Sequence, residues 1–105
     1  MKKKITFEVE LDENNLPTSI NMITSEEENP NIRSIILSAW DSKLNESLRI
    51  DLWTKNMMVN DMNIMFHQSL IGMANSLQRS TGNIKLSNAL KDYCAFFAEQ
   101  TKILK

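Results

Sequence analysis

The side chains of this sequence that could act as a base, a nucleophile or a metal ligand are few and scattered. The sequence contains one histidine, His67, and one cysteine, Cys94. These two could form a nucleophilic pair if the fold brought them together, but such a pair also needs a third group to orient the base. No HxH, HExxH or CxxC spacing accompanies either residue, so the sequence indicates no metal site. We expect structural roles for both residues, and an enzyme that uses His67 with Cys94 or an aspartate is the alternative.

Three evenly spaced aspartates could also suggest a carboxylate pair or a metal site. On the predicted elements, however, Asp41 ends a strand, Asp51 lies on an outer sheet face and Asp61 starts a helix. Gly72 and Gly82 are the only glycines, which excludes a glycine-rich phosphate loop. The sequence therefore predicts a non-enzymatic protein without a cofactor or a metal.

Length and composition indicate one folded domain over residues 1–105, with 42% hydrophobic and 24% charged residues. A formal net charge of −1 gives no general attraction to nucleic acids or acidic membranes. A single cysteine cannot form an internal disulfide, which favours a reducing compartment. Acidic residues follow the basic start MKKK, and no apolar run approaches the roughly 18 residues of a membrane span. We therefore expect a cytoplasmic protein that does not insert into membranes.

The hydrophobic pattern predicts an α+β domain in the order β-β-β-β-α-α, with two C-terminal helices packed on one face of a four-stranded antiparallel sheet. The predicted strands cover about residues 3–11, 18–24, 33–41 and 47–54, and the helices about 60–80 and 87–103. Between the second and third strands, SEEENPN (Ser25–Asn31) is expected to be a polar loop. Asn60 or Asp61 could cap the first helix, Gly82 should end it, and Ser87 could cap the second.

The third and fourth strands can be aligned if Lys43–Glu46 forms a four-residue hairpin loop. Trp40 then lies opposite Arg49, and Ile36 lies opposite Trp53 on the same face, while the other face is wholly apolar. In this register Arg49 would stack on the indole ring of Trp40. A slip of one residue would turn the charges toward the core, which argues for this division into two faces.

The outer face is the strongest candidate for a functional surface, because tryptophan and arginine are the residue types most enriched among interface hot spots. The predicted partner-binding surface consists of Trp40, Asp41, Arg49, Asp51, Trp53 and Lys55. The alternative is that a loop or a terminal segment of the chain covers this face, and the sequence leaves both open. Assembly of identical chains through the sheet face is a further option.

Several segments resemble the GldC family of gliding motility-associated proteins from Bacteroidetes. They are LSAWD, LRIDLWTKNMMVNDM, FHQ and STGN, and the most specific piece is Leu48–Lys55 together with Met57. The resemblance implies an accessory role in gliding, whose apparatus is coupled to the secretion of surface adhesins. It implies no catalytic residues.

Two functional hypotheses stand beside the enzyme. The first is a non-enzymatic cytoplasmic protein that binds a protein of the gliding or secretion machinery through the outer sheet face. The second is a holdase or secretion chaperone, because strands followed by two helices are similar to the element order of the export chaperone SecB. That second comparison is an analogy of fold alone.

Overall fold

The computed structural model describes residues 1–103 of the chain and contains five strands followed by two helices. The elements are β1 (Thr6–Leu11), β2 (Pro17–Ile23), β3 (Glu28–Ile32), β4 (Ser34–Asp41), β5 (Glu46–Trp53), α1 (Val59–Thr81) and α2 (Ile84–Thr101). The chain divides into two compact units, one of residues 1–57 and one that begins at Met58. The α+β class is confirmed. Two other expectations stay predictions. One is a single domain over residues 1–105, which includes two positions outside the described residues, and the other is the packing of the helices on a sheet face.

The first three strands form an antiparallel sheet in the order β1-β2-β3. Its buried centre is Ile20, which is fully shielded from solvent and lies opposite Val9 on β1 and Ile32 on β3. The alternation of apolar and polar residues in β1 and β2 directs one set of side chains toward this centre. The β1–β2 turn is closed by a hydrogen bond of 2.9 Å from Asp12 N to Leu16 O.

The segment predicted as a polar loop contains a strand, so that prediction is wrong. Glu28–Ile32 pairs with β2 at the edge of the sheet. The ladder is irregular between the Met22–Asn29 and Ile20–Ile32 pairs, and Pro30 falls within this interruption. Proline has no backbone N–H, so an irregular edge strand is a position that tolerates it. Proline and acidic residues indicated a loop, although they are also typical of a protected sheet edge.

The remaining strands form a separate two-stranded ribbon, β4–β5, so the prediction of a single four-stranded sheet is also wrong. The physical reason is that β3 already occupies the second edge of β2. The chain passes directly from β3 through Arg33 into β4, and β4 then pairs with β5. The two strand groups touch at one end of the ribbon, where Lys55 N donates to Pro17 O at 2.9 Å.

The ribbon has the predicted faces but a different register. The loop covers residues 42–45 rather than 43–46, because Asp41 pairs with Glu46. Asp41 Oδ1 accepts hydrogen bonds from Lys43 N (2.9 Å) and Leu44 N (3.2 Å), and Asn45 adopts a left-handed conformation with φ of 54°. Moving the loop by one residue shifts each partner by two positions. Such a shift changes the pairs but leaves every side chain on its predicted face.

The two helices form an antiparallel pair whose ends differ in part from the predictions. Gly82 ends α1 with φ of 73°, which confirms the predicted left-handed stop. The predicted caps are wrong. The residue that precedes α1 is Met58, without a side-chain cap, and Asn83 caps α2 by accepting a hydrogen bond from Leu86 N at 3.0 Å. Ser87 is buried instead.

Candidate partner-binding surface

One face of the β4–β5 ribbon carries both tryptophans of the chain. Side chains alternate between the faces of a strand, and the register therefore places four of the six predicted site residues together. We call this set the tryptophan face; it consists of Trp40, Arg49, Asp51 and Trp53. Trp40 is 65% exposed and Trp53 is 54% exposed, which is unusual for the largest apolar side chain.

The tryptophans lie at opposite ends of the face, with an ion pair between them. Trp40 is opposite Ser47, and six residues separate Ser47 from Trp53 along β5. At about 3.3 Å per residue this separation is roughly 20 Å. Arg49 lies opposite Ser38 and bonds Asp51 Oδ2 at 3.0 Å. The predicted position of Arg49 directly across from Trp40 is therefore wrong.

The Arg49–Asp51 pair contributes little to stability. Its side chains are 61% and 48% exposed, and ion pairs in such positions contribute about 0–1 kcal/mol. Both charged groups are accessible to solvent, and exchange of this contact for one with another molecule would cost little stability.

The structure separates two predicted site residues from the tryptophan face. Asp41 lies on the opposite face by alternation, and its carboxylate is used in the hairpin loop. Lys55 follows β5, and its Nζ is 2.9 Å from Asp12 Oδ2. Both residues therefore have structural contacts that account for them without a partner.

Sequence reasoning missed Asp12, which joins the β1–β2 turn to the end of β5. Besides Lys55, its carboxylate accepts hydrogen bonds from Leu16 N at 3.0 Å and Asn14 N at 2.8 Å. The bond from Leu16 N, followed by that from Lys55, lowers the pKa of Asp12 below its ordinary value of 3.8. The turn cluster DENN was a signal that an aspartate there would bind local backbone N–H groups.

The pKa of Asp12 predicts a contribution to acid stability. A lowered pKa in the folded state means that the carboxylate stabilises the fold above its ordinary pKa, and that this stability is lost as the pH falls below 3.8. We expect Asp12→Asn to unfold more easily than the wild type at neutral pH, and the difference should shrink as the pH falls through this range. Urea unfolding at a series of pH values measures it. Glu13→Gln, in the same turn, is the matched control, and an equal pH dependence of both variants would contradict the prediction.

The opposite face of the ribbon is aliphatic except beside the loop, where Asp41 and Glu46 lie. We call it the aliphatic face; it carries Ile35, Leu37, Ala39, Leu48, Ile50 and Leu52. Ile35 is 8% exposed, whereas Leu48 and Ile50, farther from the three-stranded sheet, are 49% and 53% exposed. Together with Trp40 on the other face, these values mean that the half of the ribbon near the loop exposes apolar side chains on both faces. An isolated two-stranded ribbon is also only marginally stable in water.

The two candidate catalytic residues have contacts typical of structural residues. The ring of His67 is stacked on Phe97 with centroids 6.3 Å apart. Cys94 is 2% exposed, and a thiol buried among apolar groups is inert. Within residues 1–103, no three His, Cys, Asp or Glu side chains are grouped so that they could hold a metal ion.

The structure thus defines an α+β protein with a ribbon that exposes tryptophans and aliphatic residues. The chain belongs to the GldC-like family of gliding motility-associated proteins, whose family model matches residues 17–103. No curated protein and no solved structure matches the chain. In the part of the chain that the structure describes, neither helix has the length and apolar content that a membrane crossing requires.

Proposed function

We propose that the chain is a non-enzymatic accessory protein of bacterial gliding that acts in the cytoplasm by binding another protein through the tryptophan face. Membership of the family gives the motility context. The observation that carries the binding proposal is the exposure of Trp40 and Trp53 on one face of the ribbon. Burial of such large side chains by a partner is a main source of binding free energy.

The geometry describes the chemistry of a suitable partner. Two apolar pockets about 20 Å apart would accept the indole rings, by the spacing of residues along a strand. Between them, the partner would present polar or charged groups to Arg49 and Asp51. The partner that we propose is a component of the gliding machinery or of the coupled secretion machinery.

A shallow hollow beside Trp53 extends this surface. Leu16, Pro17 and Leu52 line the hollow together with Trp53 and Asp51. An apolar side chain of the partner could enter it and contact one side of the indole ring. The Asp12–Lys55 contact holds the Leu16–Pro17 turn beside β5, so it supports this hollow without belonging to the face.

The proposal is tested by capture from gliding cells with tagged protein as bait. We expect the wild type to retain a gliding or secretion component, and the Trp40→Ala, Trp53→Ala double variant to lose it by a factor of a hundred or more, since hot spots each contribute about 2 kcal/mol or more. Circular dichroism checks that the variant stays folded. Its fold should persist because neither side chain is buried.

The matched control removes two equally exposed side chains from the helices. Met73 is 60% exposed and Phe96 is 53% exposed, so Met73→Ala, Phe96→Ala removes two large apolar side chains of similar fractional exposure. This control should retain the partner. If the tryptophan variant unfolds, or if both double variants retain the partner equally, the proposal is wrong.

A holdase or secretion chaperone is the second candidate. It is supported by the exposure of apolar side chains on both faces of the ribbon, since unfolded clients bind such surfaces through apolar contacts. A chaperone should delay the aggregation of an unfolded client at a molar ratio near one. Aggregation at the same rate with and without the protein would exclude this candidate.

A further inference from the structure

The outer edge of β5 is an unprotected sheet edge. In the described residues β5 has one strand neighbour, β4. The outer edges of the three-stranded sheet are guarded, because β3 carries Pro30 and β1 carries the like charges Glu8 and Glu10, whereas both strands of the ribbon are edge strands. An unguarded edge with exposed apolar side chains is a template for pairing with another strand.

The sequence of β5 is complementary to itself when it is read in the opposite direction. Its centre is LRIDL (Leu48–Leu52). In an antiparallel pair of two copies centred on Ile50, each Leu48 faces Leu52 of the partner subunit. In the same pair each Arg49 faces Asp51 of the partner subunit. We propose that a second copy of this chain pairs with β5 in this register and forms a two-fold symmetric dimer.

The direction of the backbone groups agrees with this register. Thr54 N donates to Arg33 O at 2.8 Å, which continues the β4–β5 ladder. Because backbone groups alternate in direction along a strand, those of Arg49 and Asp51 point away from β4. These are the groups that must exchange hydrogen bonds across the proposed interface. Ile50 then lies at a position without hydrogen bonds, where side chains of the two strands are closest.

Charge selects this register over its neighbours. A shift by two positions in one direction would place Arg49 opposite its own copy, and a shift in the other direction would do the same for Asp51. Like charges that face each other across strands are destabilising. The open edge also has a limit, since Lys55 N donates to Pro17 O beyond Trp53. The free stretch is therefore centred near Ile50.

The dimer would convert two marginal ribbons into one continuous four-stranded sheet. Sheets of three or more strands with an apolar face have the independent stability that a single hairpin lacks. The aliphatic faces of the two copies would become continuous, while the tryptophan faces would lie together on the other side. Trp53 follows the paired segment Leu48–Leu52 and Trp40 lies on β4, so neither tryptophan is needed for the strand pairing.

Charge exchange tests the pairing. We expect light scattering to give twice the 12.1 kDa mass of one chain for the wild type. Arg49→Asp and Asp51→Arg should each weaken self-association about a hundredfold or more, because each variant opposes like charges. An equimolar mixture of the two variants should restore the doubled mass, since every position then faces its opposite charge.

The mixture separates an interface from a role within one chain. Each variant breaks the Arg49–Asp51 contact inside its own chain, and mixing does not repair that contact. A single-chain mass for the wild type at its highest soluble concentration would overturn the proposal. So would a single-chain mass for the mixture, or a doubled mass for each variant alone.

Disulfide trapping tests the register in a Cys94→Ser background. Ile50→Cys should form a cross-linked dimer under mild oxidation, because directly opposed residues at such a position have Cα atoms about 4.5 Å apart. Leu48→Cys is the matched control on the same strand and face. Its copies would be about 13 Å apart by the rise per residue, too far for a disulfide. Equal cross-linking of both variants, or of neither, would contradict the register. Ile50→Glu, on the aliphatic face, should also abolish the dimer, because its two copies would face each other with like charges. Retention of the gliding component by this variant would leave the proposed function intact while the dimer is lost.

Discussion

Ile20→Ala is expected to remove a large share of the stability of the β-sheet unit. Ile20 is the only large aliphatic side chain in the described residues that is fully shielded from solvent. Its removal leaves a cavity between Val9 and Ile32, and such substitutions cost about 2–5 kcal/mol. Small domains have only about 5–15 kcal/mol of stability in total. Urea unfolding followed by circular dichroism measures the loss.

Ile5→Ala provides the comparison for that experiment. Ile5 is in the same unit but 64% exposed, so its removal should change the free energy of unfolding by less than about 0.5 kcal/mol. A cost of under about 1 kcal/mol for Ile20→Ala would show that β2 is not the centre of the sheet core, against the usual cost of a buried cavity.

Ala74→Leu is expected to have the largest effect in the helical unit. Ala74 and Ser87 are both fully buried, and Ser87 Oγ donates to Ala74 O at 2.8 Å where α1 meets α2. Two small residues let the helix backbones approach closely, so a leucine there must push them apart. Overpacking of this kind costs about 1–3 kcal/mol, and loss of the buried hydrogen bond adds about 1 kcal/mol.

The comparison variant is Ala95→Leu on the exposed side of α2. It adds the same atoms where there is room, and we expect a change of no more than about 0.5 kcal/mol in the free energy of unfolding. Thermal unfolding of both variants compares their stabilities. Similar melting temperatures for the two would contradict the close contact between the helices at Ala74.

The faces of the ribbon could be predicted from the sequence, but the strand partners could not. Alternation depends only on the period of two along a strand, so Trp40 and Trp53 were assigned to one face without knowledge of the register. The register depends on which residue closes the loop. In the structure, the side-chain hydrogen bond of Asp41 and the left-handed conformation of Asn45 fix the position of the loop. The sequence does not distinguish this position from the adjacent one, because both give a four-residue loop of similar composition.

The division of the strands into two groups could not be predicted, because the composition of β3 is not typical of a strand. Glu28–Ile32 looks like a loop because proline and acidic residues are rare in strands, yet its position at a sheet edge makes both acceptable. The composition of the candidate surface was predictable to a similar degree. Alternation along the strands placed both tryptophans on one face, whereas the structural roles of Asp41 and Lys55 depend on contacts with Lys43 and Asp12 that spacing alone does not reveal.

The central claim is that the tryptophan face contacts a protein partner. Because the chain has only two tryptophans, fluorine NMR of protein labelled with 5-fluorotryptophan reports on both ends of that face and on nothing else. Trp40→Phe assigns the two resonances. When the captured gliding component is added, we predict that both resonances shift and lose their sensitivity to solvent. Formation of the complex with both resonances unchanged would contradict the claim.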